Sequence, residues 1–425
     1  MPRFLHLSDV HLGLDRYGSP ERTRDFFEAF KDALKKYAID AAVDFVLIVG
    51  DLFDDRNLLP PTLNQAQVCL QMLQEAGIPV LAIEGNHDNH PYGTETSWLR
   101  YLAEWGYLIL LEPQEDARDE TLIYEPWTPE TRRGGYIDLD CGVRVLGSRW
   151  YGPAAPRAIE RLAVGIRHLP PDPPYTVMMF HHGLKDQIAR YTGALDYKDL
   201  LPLRQAGVDY LALGHIHKNY AVEGWVFNAG SVEANSIAEN QQQTPRGVYL
   251  VELSPGEIQA DLKQDYYQRP IFRLSLEAHK DQTEEDLIQA ALTHIQAKNQ
   301  SGQFRDALVE LRIQGQVGFN RLNLNLRELE SQLKQLTEAL VFRLRYEVKG
   351  TEYETPIVFP GPWPPPRSAI ETQVFTDLLA AHSAYCEQAT QLTPGLMELK
   401  DKILEQESDA ELYQRVQELL RVSKI

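Results

Sequence analysis

Five short clusters of Asp, His and Asn residues carry side chains that bind divalent metal ions. In chain order they are Asp9-Val10-His11, Gly50–Asp54, Gly85–Asp88, His181-His182-Gly183 and Gly214–His217. A pair of divalent ions about 3.5 to 4 Å apart needs a bridging carboxylate, terminal carboxylate and imidazole ligands, and open positions for water and a phosphoryl oxygen. Each cluster alone occurs often by chance, but the ordered set predicts a two-metal centre suited to hydrolysis at phosphorus.

The spacing within the clusters fits such a centre. Asp51 follows the apolar run Phe45–Val49 and Gly50, and the glycine lets the backbone turn tightly where a strand ends. We therefore predict Asp51 as the bridging ligand. In Asp9-Val10-His11 and in His215-Ile216-His217, the i, i+2 spacing places both side chains on one face of an extended chain. Each pair can serve one metal ion or be divided between two.

Short apolar strands must position these clusters. The predicted buried strands are Arg3–Ser8, Phe45–Val49, Val80–Ile83, Thr176–Phe180 and Tyr210–Leu213. Helical stretches alternate with them up to about residue 275, which indicates a layered α/β domain. The first helix is predicted to begin at Ser19-Pro20-Glu21, with Ser19 as its N-cap. Because open α/β sheets bind ligands beyond the carboxyl ends of their strands, this fold would bring the clusters together.

The rest of the chain changes in character. We predict a catalytic domain over residues 1–275, a small α+β domain over 276–350, a Pro-rich linker over 351–366 and a helical C-terminal region over 367–425. The linker is too rich in Pro to continue a helix or a central strand. In the C-terminal region, an apolar stripe of Ile370, Val374 and Leu378 would serve a homodimer, a partner coiled coil or packing within the chain.

Composition narrows the class of protein. The chain is 43% hydrophobic, and no apolar run approaches the ~20 residues that cross a membrane. No secretory signal pattern precedes the first strand, and Cys69, Cys141 and Cys386 lack disulfide or zinc-thiolate spacing. We therefore expect a cytoplasmic protein without membrane spans. The net charge of −19 opposes nucleic-acid binding, unless metal ions, a local basic groove or a partner supply positive charge.

In this order the clusters resemble the signature of the calcineurin-like metallophosphoesterase superfamily, over roughly the first 240 residues. The resemblance implies a four-layer α/β/β/α sandwich, here with a small α+β capping domain and a helical C-terminal tail. It also implies two divalent metal ions. One would bind Asp9, His11, Asp51 and His217, and the other Asp51, Asn86, His181 and His215.

The same resemblance suggests roles for two further residues. His87 is similar to the family's general acid, which protonates the leaving oxygen, and we expect that it does not bind metal. Asp54 would orient His87 through the other ring nitrogen, because related enzymes share the pattern Gly-Asp-x-x-Asp.

Other residues in or near the clusters have alternative explanations. His182 is an alternative to His181 as the metal ligand. Asp88 can equally well cap a turn. His6 lies inside the first predicted strand, so we expect it to be a packed or hydrogen-bonded core residue.

The amino-acid sequences of the motifs resemble those of the SbcD branch of nucleases. Leu7–Gly13 reads Leu-Ser-Asp-Val-His-Leu-Gly, and Asn228–Ser231 stands where the branch has a Pro-Gly-Ser turn, with Ala229 in place of Pro. Protein Ser/Thr phosphatases have Glu and Arg where this chain has Asp88 and Asp55. The branch implies Mn²⁺-dependent exonuclease activity on duplex DNA ends, endonuclease activity on single strands, DNA repair, and an SMC-like ATPase partner, SbcC.

Two other functions are compatible with the sequence. A small-molecule phosphodiesterase or nucleotidase would use the same metal ions and fits the acidic charge, although the ~150 residues beyond the catalytic domain exceed what a small substrate needs. A non-catalytic scaffold on the same fold is the second alternative. The complete ligand set argues against the scaffold.

Overall fold

The structure is a computed structural model that describes residues 1–115, 122–171, 173–187, 193–239, 245–321, 323–349, 366–380, 385, 388–404 and 409–422. The chain divides into two units. The first comprises Met1–Arg273, Phe304–Val309 and Ala339–Val341, and the second Leu274–Gln303, Glu310–Glu338 and Phe342–Ile425. Apart from Pro366, the predicted linker lies outside the described residues, and the boundaries predicted beyond residue 275 remain predictions.

The strands of the first unit form two large sheets and one small one. In chain order they are β1 (Arg3–Leu7), β2 (Phe45–Val49), β3 (Val80–Ile83), β4 (Ile109–Leu110), β5 (Gln114–Glu115), β6 (Leu122–Ile123), β7 (Tyr136–Leu139), β8 (Val143–Leu146), β9 (Tyr175–His181), β10 (Tyr210–Gly214), β11 (Tyr220–Val222), β12 (Val226–Asn228), β13 (Val248–Ser254) and β14 (Glu257–Lys263). The first sheet has the order β14-β13-β1-β2-β3-β4 and the second β11-β12-β10-β9-β8-β7, while β5 pairs with β6. The strands β1 to β4 are parallel, as are β8, β9, β10 and β12.

The helices of the first unit pack on the outer faces of the two large sheets. They are α1 (Pro20–Leu34), which continues as a π-helical turn over Lys35–Ile39, α2 (Pro60–Glu75), α3 (Trp98–Glu104), α4 (Ala155–Arg167) and α5 (Tyr197–Gln205). Ser19 is at the N-cap position of α1, but the predicted cap bond is absent. Its hydroxyl donates instead to Glu21 Oε2 at 2.8 Å, so the side chain no longer reaches the helix backbone.

Alternation along the strands separates three hydrophobic cores. Phe4 and Phe45 stack on each other and pack against Tyr210 of the second sheet, between the two sheets. Leu5 faces the opposite side and packs with Phe30 of α1. The third core lies between the second sheet and the helices α4 and α5. The predicted four-layer α/β/β/α sandwich is confirmed.

Helices and strands alternate again in the later part of the chain. These elements are β15 (Ile271–Ala278), α6 (Glu284–Lys298), β16 (Leu308–Gln316), α7 (Leu326–Thr337) and β17 (Val341–Lys349), with the sheet order β15-β16-β17. The C-terminal helices are α8 (Arg367–Ala380), α9 (Ala389–Leu404) and α10 (Asp409–Val422). In the part of the chain that the structure describes, no helix combines the length and apolar character needed to span a membrane.

Candidate metal centre

The carboxyl ends of β1, β2, β3, β9 and β10 carry the five sequence clusters. At the edge of the first sheet, the backbone amide of Asp9 donates to Gly50 O at 3.1 Å. Across the two sheets, His181 Nδ1 lies 2.8 Å from Val49 O. Both sheets therefore end at one edge of the sandwich, and the predicted ligands meet there.

Four of the predicted ligands have a left-handed backbone, with φ of 52° at Asp9, 49° at His11, 52° at Asp51 and 84° at His215. Residues other than Gly seldom adopt this conformation, and each instance costs on the order of 1–3 kcal/mol. Hydrogen bonds between the strained loops hold them in place: the amide of His215 donates to both carboxylate oxygens of Asp9 at 3.0 Å. Backbone strain of this kind clusters at functional sites.

Two glycines make room for the ligands. Gly50 has a φ of 81°, as its predicted turn requires, and a Cβ there would lie 2.3 Å from His181 Nδ1. A Cβ at Gly85 would lie 2.1 Å from Asp51 Oδ1. Because both distances are far below van der Waals contact, a side chain at either position would displace a predicted ligand.

Asp9, His11 and His217 form the first ligand group, in which one ligand atom of each residue lies within 4.8 Å of the others. The Nε2 atoms of His11 and His217 are 3.2 Å apart. Their Nδ1 atoms face carboxylates, that of His11 at 3.2 Å from Asp54 Oδ1 and that of His217 at 3.4 Å from Glu239 Oε1. A carboxylate beside Nδ1 favours a proton on that nitrogen, which leaves Nε2 of each ring as the nitrogen available to a metal ion. The two Nε2 atoms and the Asp9 carboxylate therefore fit a metal ion.

Asp51, His181 and His215 form the second ligand group by the same distance, and Asn86 lies among them. His181 Nε2 is 3.2 Å from both Asp51 Oδ2 and Asn86 Oδ1. Asn86 Oδ1 is also 2.8 Å from His215 Nδ1. Because His181 Nδ1 donates to Val49 O, Nε2 is the ring nitrogen that faces the two oxygens and that a bound metal ion would engage. A carboxylate, an amide oxygen and two imidazoles fit a divalent cation such as manganese, iron or zinc.

Burial and charge set the protonation of the second ligand group. Burial would raise the pKa of Asp51, but the surrounding imidazoles, His181 first, outweigh it and hold this pKa below its usual range. Burial would lower the pKa of His181, but the Asp51 carboxylate raises it to about 9. Burial, with the charge of His181, lowers the pKa of His215 to about 4. The protein alone thus keeps a proton on His181, and a bound cation would have to displace it.

His87 lies edge-on to the first ligand group, with its ring centroid 5.0 Å from that of His11. Its amide donates to Asp51 Oδ1 at 2.8 Å. Asp54 contacts the other ring nitrogen of His87 through its backbone: the Asp54 carbonyl oxygen lies 2.5 Å from His87 Nδ1, whereas the carboxylate is turned toward His11 Nδ1. Because a carbonyl only accepts, Nδ1 of His87 carries a proton and Nε2 is left for proton transfer.

The comparison with known families agrees with this geometry. The model of the calcineurin-like phosphoesterase family matches residues 2–219, which include all of the predicted ligands. The chain belongs to this family.

The phosphoesterase is similar to several curated proteins. It is 31% identical to the DNA double-strand break repair protein Mre11 of Haloferax volcanii over 264 residues, which are 61% of this chain and 51% of the relative. It is 31% identical to the Mre11 protein of Archaeoglobus fulgidus over 245 residues, 56% of this chain and 51% of the relative. It is 28% identical to the uncharacterized metallophosphoesterase YhaO of Bacillus subtilis over 270 residues, 60% of this chain and 58% of the relative. The chain thus spans about half the length of the relatives it matches.

The two adjacent histidines of the phosphoesterase have different surroundings. His181 reaches the second ligand group, whereas His182 Nε2 donates to Gly152 O at 3.1 Å and its Nδ1 accepts from Gly183 N at 2.9 Å. The His182 ring stacks on Trp150, with centroids 5.6 Å apart and planes at 23°. Successive residues of an extended chain point in opposite directions. His181 is therefore the one positioned as a ligand.

Asp88 and His6 have the structural roles considered from the sequence. The buried Asp88 carboxylate accepts from the amides of Gly85 at 3.0 Å and Phe53 at 3.2 Å, and burial raises its pKa to about 7. It ties together two loops of the metal centre as a turn cap. His6 is buried, with Nδ1 2.8 Å from the Tyr210 hydroxyl. Neither side chain belongs to a ligand group among the described residues.

Two further side chains lie at the metal centre that the sequence motifs did not predict as site residues. Glu239 faces His217, whose ring outweighs burial and lowers the pKa of this carboxyl. The half-buried Trp150 ring lies 5.1 Å from His215 and 5.7 Å from His181 between centroids. Neither residue lies at a fixed spacing from a cluster, so only the fold relates them to the site.

Proposed function

We propose that the phosphoesterase is a DNA nuclease that uses two divalent ions, Mn²⁺ in the first instance, to hydrolyse phosphodiester bonds. The proposal depends above all on the two ligand groups, in which carboxylate, amide and imidazole atoms that bind metal ions lie close together. DNA as the substrate is supported by the two Mre11 relatives, which carry the name of DNA double-strand break repair proteins.

The ligand groups would divide the two ions between them. Asp9, His11 and His217 would hold one and Asn86, His181 and His215 the other, with Asp51 as the predicted bridge. Bound ions would stabilise charge on the phosphoryl oxygens and activate water as the nucleophile. The protein orients its ligands through second contacts: the carboxylates of Asp54 and Glu239 face the Nδ1 atoms of His11 and His217. Such contacts fix the tautomer and increase the basicity of the ligating nitrogen.

His87 would supply the proton to the leaving oxygen. Its Nδ1–H donates to the Asp54 carbonyl, which fixes the ring and leaves Nε2 as the nitrogen that gives up a proton. The hydrogen bond from the His87 amide to Asp51 Oδ1 sets the position of this acid relative to the predicted bridge. A general acid of this kind contributes roughly 10²- to 10⁴-fold to the rate.

We further propose exonuclease activity on duplex ends and endonuclease activity on single strands, in cytoplasmic DNA repair with an SbcC-like ATPase. The net charge of −19 supports the need for a partner, because Lys and Arg contacts to phosphate supply much of the affinity for DNA. Ile370, Val374 and Leu378 of α8 are exposed and offer an apolar surface for that partner or for a second copy of the chain.

The test is hydrolysis by the purified full chain, with and without Mn²⁺, of linear duplex DNA, single-stranded circular DNA and a small aryl phosphodiester. His87→Asn is compared with His90→Asn, which changes an exposed histidine of the same loop. Asp51→Ala is compared with Asp55→Ala, which changes an exposed carboxylate of the same loop. We expect Mn²⁺-dependent DNA cleavage by the wild type and both controls, and a loss of roughly 10²-fold or more in the other two variants.

Each other outcome selects an alternative. Hydrolysis of the small diester alone would favour a small-molecule phosphodiesterase, which the acidic charge also favours. Bound metal without activity on any substrate would favour a scaffold. Full activity of Asp51→Ala would show that the two ligand groups do not form the reaction site.

A further inference from the structure

The loop that carries His87 and the neighbouring loop after β2 each expose a large apolar side chain. Tyr92 exposes 84% of its surface and Leu59 exposes 70%. Single exposed apolar residues are ordinary on protein surfaces. These two, however, lie on the loops after β2 and β3, which also carry Asp54 and His87. Their exposure therefore coincides with the reaction site.

The ring of Tyr92 belongs to a stacked pair that is open on one side. The guanidinium carbon of Arg56 lies 4.8 Å from the ring centroid, which is the distance of a cation–π contact. Because Tyr92 remains 84% exposed, the guanidinium covers one face and the other face is open to solvent. Aromatic rings and guanidinium planes are the surfaces on which proteins stack unpaired nucleobases.

The stacked pair is held beside the proposed general acid. Arg56 comes two residues after Asp54, whose carbonyl lies 2.5 Å from His87 Nδ1. On its other side this loop is fixed by Trp98, whose Nε1 donates to Arg56 O at 2.8 Å. Tyr92 follows His87 by five residues on the loop after β3. A nucleotide whose sugar oxygen takes the proton from His87 would therefore lie beside the two loops that carry the pair.

We propose that Arg56 and Tyr92 form a stacking platform for the nucleobase on the leaving-group side of the scissile phosphodiester. The proposal rests on the proposed DNA nuclease function and specifies which part of the substrate this edge of the site binds. Because every base has a π-face, the platform selects nucleic acid over simple diesters without selecting a sequence. The guanidinium also adds local positive charge to a chain of net charge −19.

Tyr92→Ala in the full chain tests the platform. The matched control is Trp105→Ala, because Trp105 exposes 66% of its surface at the C-terminal end of α3, outside the two loops that carry Arg56 and Tyr92. Cleavage kinetics in Mn²⁺ are measured on a single-stranded oligonucleotide with a mapped cleavage site, and on a series in which an abasic nucleotide replaces each base near that site in turn. Circular dichroism and the Tm verify that both variants fold.

We expect Tyr92→Ala to raise KM for the oligonucleotide by roughly 5- to 100-fold, Trp105→Ala to leave it unchanged and Tyr92→Trp to restore it. The abasic nucleotide at the stacked position should raise the wild-type KM equally and add nothing in Tyr92→Ala. A KM within about twofold of the control, or additive effects of the variant and the abasic nucleotide, would overturn the platform and leave the nuclease function standing. A wild type that cleaves no DNA would overturn the nuclease function, and the platform with it.

Discussion

The first unit buries two groups of charged side chains, and they differ in how their charges are met. In the ionic network of Arg22, Asp25, Glu233, Arg246 and Arg269, guanidinium groups face carboxylates, as where Arg22 Nη1 lies 2.7 Å from Asp25 Oδ2. In the metal centre, formed by the two ligand groups, the facing atoms are carboxylate and amide oxygens and imidazole nitrogens, all of which bind metal ions. Each carboxylate of the network is therefore met by guanidinium groups of the polypeptide, whereas the metal centre is built to be completed by cations.

The ionic network and the metal centre meet at one loop. Arg22 Nη2 donates to Ala234 O at 2.5 Å, and Arg246 Nη1 donates to Glu239 O at 2.7 Å. The Glu239 carboxylate faces His217 of the metal centre. Because desolvation largely offsets the attraction in buried ion pairs, a network of this kind contributes little net stability compared with apolar residues. Its value lies in fixing the loop that carries Glu239.

Breaking the ionic network should have the largest effect on folding. Arg22→Met removes the guanidinium that faces both Asp25 and Glu233 and leaves these carboxylates with Arg269 and Arg246, so it should cost up to the about 3–5 kcal/mol of an unpaired buried charge. We expect this fall in the free energy of unfolding in urea, measured with EDTA present. Arg24→Met on the same helix is the control, because Arg24 is exposed and its loss should cost under about 0.5 kcal/mol. Equal stability of the two variants would contradict the assignment of the network.

Divalent cations should stabilise the protein through the metal centre and not through the ionic network. At roughly 100 times its Kd, Mn²⁺ should add about 2.7 kcal/mol to the free energy of unfolding of the wild type, and EDTA should remove the gain. Asp51→Ala should lose most of it, because it removes the carboxylate of the second ligand group. Asp55→Ala, at an exposed position of the same loop, should keep it. Thermal melts across a Mn²⁺ titration measure this, and an equal rise in Tm for Asp51→Ala would place the ion elsewhere.

Glu239→Gln tests whether the ionic network and the metal centre act separately, because Glu239 contacts Arg246 of the network and His217 of the metal centre. The change removes the charge that faces His217 and preserves the size of the side chain. Carboxylates behind a ligating histidine contribute about 10- to 100-fold to metal affinity, so we expect the Mn²⁺ Kd in calorimetric titrations to rise by that factor. Glu257→Gln, exposed on β14, is the control. Lower stability of the metal-free protein with an unchanged Kd would assign Glu239 to the ionic network only.

Local pattern predicted the strands and the ligands that end them, since burial of Phe45–Val49 and the turn at Gly50 are properties of neighbouring residues. Contacts between distant segments could not be predicted, such as Glu239 against His217. No spacing rule connects a loop after β12 to a loop after β10. Asp54 lies between these cases: the motif placed the residue beside His87, but only the turn of the loop decides that its carbonyl makes the contact.

Asp54→Asn therefore gives the smallest expected effect. Its backbone carbonyl can still accept from His87, so the rate at saturating Mn²⁺ should change little. The carboxylate lies 3.2 Å from His11 Nδ1 and is partly exposed, so its neutralisation should weaken Mn²⁺ binding by about tenfold, the lower end for such contacts. The Mn²⁺ concentration for half-maximal DNA cleavage should rise by the same factor, and Asp55→Asn should leave it unchanged. A slower rate at saturating Mn²⁺ with unchanged metal affinity would contradict this expectation. It would show that the Asp54 carboxylate assists proton transfer by His87 and does not support the metal ligand His11.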